Sequence, residues 1–277
     1  MASSSWHCAA CPPVIVGAKG PTSASTSTIA RASASALIAA GVASISVQVP
    51  ELTEQELDLV IAGTRLAEIA SRQKAFKRCL TNLKWLDLSL QALQAEPPNM
   101  PVTWSTESAC RRHIWHLLVR RTNGSARENC LIAVARAKLR SSQGFSEIPA
   151  LMLDVAQELE ADGLLRGAGA RFTSAHDLIE DWALLTYLDQ VAETAKGSLK
   201  SIIEEVGDLP LMRTCFRHWL GERLDDGQSD SLPWLQAALA PDNGGGRWQE
   251  EALLAVLGAR DAGRILLKTA EYWVSNQ

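Results

Sequence analysis

The stretch Arg171-Phe172-Thr173-Ser174-Ala175-His176-Asp177-Leu178-Ile179-Glu180-Asp181-Trp182 gathers the residue types in this chain best suited to hold an anion. It follows Gly167-Ala168-Gly169 and leads into a long apolar run. His176 and Asp177 are therefore expected at the start of a helix, just after a β-hairpin. There an imidazole N–H and the unpaired amides of a helix N-terminus converge, and both favour a negatively charged oxygen. The plainer reading is a histidine that only caps its own helix and touches no ligand.

Other chemistries find less support. A phosphate-binding loop needs glycines, a lysine and a hydroxyl residue at fixed spacing, so that backbone amides cradle the phosphates. The nearest stretch, Val14-Ile15-Val16-Gly17-Ala18-Lys19-Gly20-Pro21-Thr22-Ser23, places the lysine before its last glycine, and Pro21 removes an amide. Nothing acidic precedes Glu51, so no acidic strand stands ready to hold magnesium. ATP hydrolysis by this chain alone is not expected. His7, Cys8 and Cys11 have the spacing of half a metal site but lack a second pair. His113 and His116 flank Trp115 on a helix without the carboxylate that a zinc protease motif requires. No metal site and no nucleophile–base set emerges.

Those residues must be positioned by a mostly helical chain. Its 277 residues carry a formal net charge of −4 and are 47% hydrophobic, as expected of a soluble globular protein of the cytoplasm. The mild acidity argues against nucleic acid as a partner, and no apolar run is long enough to span a membrane. Six cysteines are scattered, four of them (Cys79, Cys110, Cys130, Cys215) on apolar helical faces, which suits reduced thiols. Residues 1–44 contain no acid and are rich in Ser, Thr and Ala. They read as a disordered tail, or as sequence translated from the wrong frame or start site.

Ile45-Ser46-Val47-Gln48-Val49 alternates like a short strand. Residues 45–122 read as a small helical domain. A capping box at Thr53–Glu56 precedes a face of Leu57, Val60, Ile61 and Thr64. A second helix runs from Phe76 to Leu93 up to Pro97-Pro98, and a third covers 105–121. Residues 123–193 give helix, helix, hairpin, the order of a winged-helix domain. Ser146 is expected as N-cap of a helix that buries Ile148, Leu151, Met152, Val155 and Leu159. That second helix and its approach carry Glu147, Asp154, Glu158, Glu160 and Asp162 and no Lys or Arg, so DNA binding is disfavoured. Residues 194–277 read as an α-helical array of short helices punctuated by Pro210, Pro233 and Pro241. The tryptophans are expected in the core.

Ala175-His176-Asp177-Leu178-Ile179 is similar, except at its first position, to the Met-His-Asp-Leu-Ile motif of STAND-class regulatory ATPases, which include plant NLR and NACHT proteins and bacterial antiphage relatives. Val49-Pro50-Glu51-Leu52-Thr53 resembles the lead-in to their lid domain. Phe76–Leu93 resembles a lid helix, though Leu80-Thr81-Asn82-Leu83 lacks the family's proline. Arg217-His218-Trp219-Leu220 and Arg247–Leu253 look like the helical array that follows. The resemblance spans residues 45–277 and implies a lid, a winged helix and a sensor array without the P-loop domain, as in a truncated or frameshifted relative. It implies that His176 approaches the β-phosphate of ADP and that Asp177 braces the helix start. ADP or ATP would then bind only weakly here, and protein partners or self-association are implied. The rival expectation is a stand-alone helical protein-interaction scaffold with no nucleotide role.

Overall fold

A computed structural model describes residues 50–95, 104, 106–121, 123–140, 145–227, 231–240 and 246–275. The tail 1–44, the strand Ile45–Val49, the Cys8–Cys11 pair and Pro97-Pro98 lie outside the described residues. Thr53 opens α1 (Glu54–Ile61) with the expected capping box. Its hydroxyl accepts the Glu56 amide at 3.2 Å, and a Glu56 carboxylate oxygen accepts the Thr53 amide at 2.8 Å. Leu57 and Ile61 are buried, but Val60 is 53% exposed. Thr64 also leaves the expected face, because α1 stops at Ile61 and the chain turns at Gly63, φ +74°. Thr64 therefore precedes a new helix, α2 (Arg65–Arg72), which the spacing of apolar residues did not predict.

The continuous helix expected from Phe76 to Leu93 is two helices, α3 (Lys74–Cys79) and α4 (Leu83–Ala95). Asn82 divides them: its side-chain oxygen accepts the amides of Lys84 at 2.9 Å and Trp85 at 3.4 Å, starting α4 afresh. Phe76, Leu80 and Leu86 are still buried, so the apolar spacing survives the break. In α5 (Glu107–Leu118) the expected positions Cys110, Ile114 and Leu118 are buried and Leu117 packs beside them.

Next come α6 (Gly124–Leu139), β1 (Ser146–Glu147), a 3-10 turn (Ala150–Met152), α7 (Leu153–Ala161), β2 (Leu165–Ala168) and β3 (Arg171–Ser174). The strands form one antiparallel sheet in the order β1–β3–β2, with Ser146 opposite Phe172 and Leu165 opposite Ser174. This keeps the winged-helix order of elements and adds a strand. Ser146 is thus a strand residue and not the expected N-cap. Pro149 and the tighter 3-10 turn delay the helix and change its phase, leaving Leu151 83% exposed where a buried position was expected. Gly169, at φ +68°, takes the first central position of the two-residue β2–β3 turn.

The remainder is helical: α8 (Asp177–Ala195), α9 (Leu199–Val206), α10 (Pro210–Asp225), α11 (Ser231–Leu239), α12 (Gly246–Gly258) and α13 (Ala262–Ser275). Among the described residues the chain is mainly helical, with this one small sheet. Residues 51–277 make one unit, and a single apolar core runs through it from Leu57 to Ile265. It includes Trp85, Trp104, Trp115, Trp182, Trp219, Trp234 and Trp248, all buried as expected. No helix among the described residues is long and apolar enough to cross a membrane.

Two adjacent buried charges in α6 join three segments. Arg127 donates to the Val119 and Leu118 carbonyls at 2.9 and 3.1 Å and pairs with Asp162 at 2.6 Å. It thereby closes the end of α5 and the end of α7 together. Glu128 accepts the Trp115 indole N–H at 2.7 Å, both donors of Arg120, and Gln190 of α8 at 3.2 Å. Burial by itself would raise the Glu128 carboxyl, but Arg120, Trp115 and Gln190 together hold it below its ordinary 4.5. A depressed carboxylate stabilises the fold above pH 4.5 and loses that contribution as pH falls through its lowered folded value. Glu128→Gln is expected to cost about 2 kcal/mol in urea unfolding at neutral pH, less than a fully buried pair because Arg120 can rehydrate. The gap between the two proteins should close as pH falls below 4.5.

Candidate functional site

His176 ends the hairpin in extended backbone, φ −135° and ψ 141°, and sits in the N-cap position of α8. Its backbone carbonyl accepts the Ile179 and Glu180 amides at 3.1 and 3.3 Å. Its ring makes no capping hydrogen bond. The local-cap reading therefore fails for the side chain and holds only for the backbone. The imidazole is 28% exposed, and its Nε2 lies 4.0 Å from an Asp87 carboxylate oxygen of α4.

Asp177, the first residue of α8, pairs with Lys84 Nζ of α4 at 2.8 Å. That hydrogen bond, with the positive charges of Lys84, Lys138 and His176, holds the Asp177 carboxyl below its ordinary value. Behind the pair, Trp85 and Trp182 meet edge to face with ring centroids 4.8 Å apart. One turn further on, the buried Glu180 pairs with Lys138 of α6. The start of α8 is thus fastened to α4 by a salt bridge and an aromatic pair, and to α6 by a second salt bridge.

The electrostatics divide into two halves. The amides at the helix start, His176, Lys84 and Lys138 favour an anion, while Asp87, Asp177, Glu180 and Asp181 oppose one. Both lysines are already partnered with carboxylates, so an incoming phosphate would have to take Lys84 from Asp177. The exchange is cheap, because the pair is exposed (42% and 75%) and pairs of that kind contribute about 0–1 kcal/mol. Asp181 feels the excess of acid. Although its carboxylate touches solvent, the crowding around it, then Glu180 and Asp177, push it up to about 6.

Of the two expected site residues, the structure brings His176 beside Asp87 and Asp177 beside Lys84. Lys84 and Asp87 were missed: they lie on a helix about ninety positions earlier, and nothing in local spacing links them to His176. Among the described residues no group of three or more His, Cys, Asp or Glu side chains is placed to hold a metal. His113 packs edge-on against Trp104, with centroids 5.7 Å apart. The buried thiols are unsuited to nucleophilic work, since burial pushes Cys79 and Cys215 up to about 12 and Cys130 up to about 11. The would-be DNA-reading helix α7 exposes Asp154 and Glu158, and Glu160 accepts the Gly167 amide at 2.8 Å. A Cβ at Gly167 would lie 2.7 Å from that carboxylate, so a larger residue there would push the exposed Glu160 side chain off the amide.

Asp181→Asn should stabilise the protein at neutral pH by about 1 kcal/mol in chemical unfolding, because a carboxyl raised in the fold opposes folding once ionised. The advantage should vanish as pH falls from about 6 towards the ordinary 3.8, where the native carboxyl is protonated as well. A double-mutant cycle of Lys84→Ala and Asp177→Ala is expected to give a coupling of about 0.5 kcal/mol that shrinks in high salt.

No protein-family model matches the chain, and no curated protein matches it significantly.

Proposed function

We propose that this chain is the nucleotide-state-sensing arm of a STAND-type signalling or defence ATPase, working with a P-loop domain that it does not itself provide. The observation that carries the reading is the setting of His176. Its ring is partly exposed at the start of a 19-residue helix, makes no hydrogen bond to that helix, and has an exchangeable lysine next to it. Helix amides and an N–H donor at one point suit a phosphate oxygen.

In this reading ADP on the P-loop domain presents its β-phosphate to His176. Lys84 turns from Asp177 to the same phosphate, and the lid-like helices and winged-helix unit are held in the resting arrangement. Exchange for ATP removes that contact and returns Lys84 to Asp177, freeing the arm to move. A ligand that binds one of two arrangements better shifts their populations by that difference in affinity. The chain alone keeps only these few contacts, so its affinity for ADP is expected to be weak, in the ~millimolar range.

The test is a titration with magnesium–ADP followed through the histidine ring signals in NMR. A change confined to His176 and its neighbours is expected. His176→Ala and Lys84→Ala should each weaken it about tenfold, and adenosine, which lacks phosphates, should produce none. A chain whose His176 signal ignores ADP, and whose His176→Ala variant differs only slightly in stability, belongs instead to the scaffold class.

A further inference from the structure

The start of α8 meets α4 through two pairs of polar side chains whose signs are crossed. On α4, Lys84 and Asp87 stand one helical turn apart and share a face. On α8 their counterparts are Asp177 and His176 respectively. The first pair is closed, with Lys84 Nζ 2.8 Å from Asp177. The second is not: His176 Nε2 lies 4.0 Å from Asp87 Oδ2. At that distance there is no hydrogen bond, and a neutral imidazole gains little from the carboxylate. A protonated imidazole carries a charge and an N–H on both nitrogens, and the same approach then becomes an ion pair.

Both members of the open pair are held ready. Gln91, one turn beyond Asp87 on α4, donates to an oxygen of that carboxylate at 3.0 Å. The His176 ring is partly exposed and makes no hydrogen bond to its own helix, so a proton from solvent reaches it without breaking a cap. Behind the two pairs, the edge-to-face contact of Trp85 with Trp182 fixes how closely α4 and α8 approach.

The helix field explains why a histidine suits this position. A permanent cation in the N-cap position would oppose the positive end of α8 at every pH, whereas an imidazole does so only in acid. The other charged groups around the helix start are Lys84 of α4, Lys138 of α6, and Asp177, Glu180 and Asp181 of α8. From α10 the neighbour of Asp181 is the Cys215 thiol, which burial keeps protonated. With Asp87 included, carboxylates outnumber lysines, so one more positive charge is accommodated here. The first pair stays closed in acid, because its hydrogen bond to Lys84 above all holds the Asp177 carboxyl below its ordinary 3.8.

We propose that His176 and Asp87 form a proton-operated latch, adding a second ion pair between α4 and α8 in acid and releasing it near neutrality. The junction is then fastened by one charged pair at neutral pH and by two in acid. The latch is a property of the chain without ligand and does not rest on the nucleotide reading.

Urea unfolding of the full chain, of His176→Gln, of Asp87→Asn and of the double variant gives the coupling at about pH 5 and about pH 8. It should be about threefold in the unfolding constant in acid and absent at the higher pH. Asp181, pushed up to about 6, gains its proton in the same range, but it is common to all four proteins and cancels in the cycle. His176→Lys carries a fixed charge, so its cycle with Asp87→Asn should show the coupling under both conditions. A His176–Asp87 coupling that is absent in acid, or equal at the two pH values, overturns the proposal. So does a pH dependence shared by the Lys84–Asp177 pair, or a coupling of His176→Lys confined to acid.

Discussion

Two neighbouring side chains of α6, Arg127 and Glu128, hold opposite charges inside the protein, and much else follows from satisfying them. Neither can be left without partners, because an unpaired buried charge costs several kcal/mol. Arg127 is satisfied by the last carbonyls of α5 and by Asp162, and Glu128 by Trp115, Arg120 and Gln190. The partners come from the end of α5, the turn after α7 and the middle of α8. Satisfying one pair of charges therefore fixes where three elements stand, and through α8 it fixes the hairpin and His176. The same segment carries cavity-sensitive packing, with Cys130, Leu131 and Val134 fully buried on the adjoining turns.

The sheet edge and the helix start share this logic on a smaller scale. Glu160 reaches the Gly167 amide, and Asp226 accepts hydrogen bonds from Thr106, Ser108 and Arg112 at the opening of α5. In the first place the carboxylate takes up a backbone amide of the strand, and in the second it gathers two hydroxyls and a guanidinium. The acidic balance of the chain is in part spent on such interior work. At the start of α8 the carboxylates exceed the donors, and Asp181 registers the surplus.

Much of the architecture was legible because it is written locally. Thr53 and Glu56 announce a capping box, Pro210 sits at the first turn of α10, and the glycine turn marks the hairpin. The short helices expected over residues 194–277 are present as α9 to α13. What spacing could not convey was phase and interruption. Asn82 splits an apolar run whose period continues undisturbed across the break, and the 3-10 turn after Pro149 rotates Leu151 away from the core. Strand β1 is only two residues long, and its pairing with Phe172 is a long-range fact that no short window contains. The site divides in the same way. His176 and Asp177 stand out by type and position, whereas Lys84 and Asp87 become neighbours only once α4 packs on α8.

Among the described residues, six of the seven buried indoles make ring contacts, in three separate groups, while the seventh, Trp115, is held by its hydrogen bond to Glu128. Trp104 packs on Phe76 and His113, Trp85 meets Trp182, and Trp219 and Trp248 surround Phe216 with Trp234 alongside. They stand between α3 and α5, at the α4–α8 junction and among α10, α11 and α12 respectively. Rigid, asymmetric surroundings make each group optically active in the near ultraviolet, and emission from each responds to its own local hydration. The molecule therefore carries internal dyes at these three places and a further one at Trp115. Replacing Trp85 or Trp234 by phenylalanine would therefore assign the spectral change of loosening to the junction that holds His176 or to the far end of the array, without any label being attached.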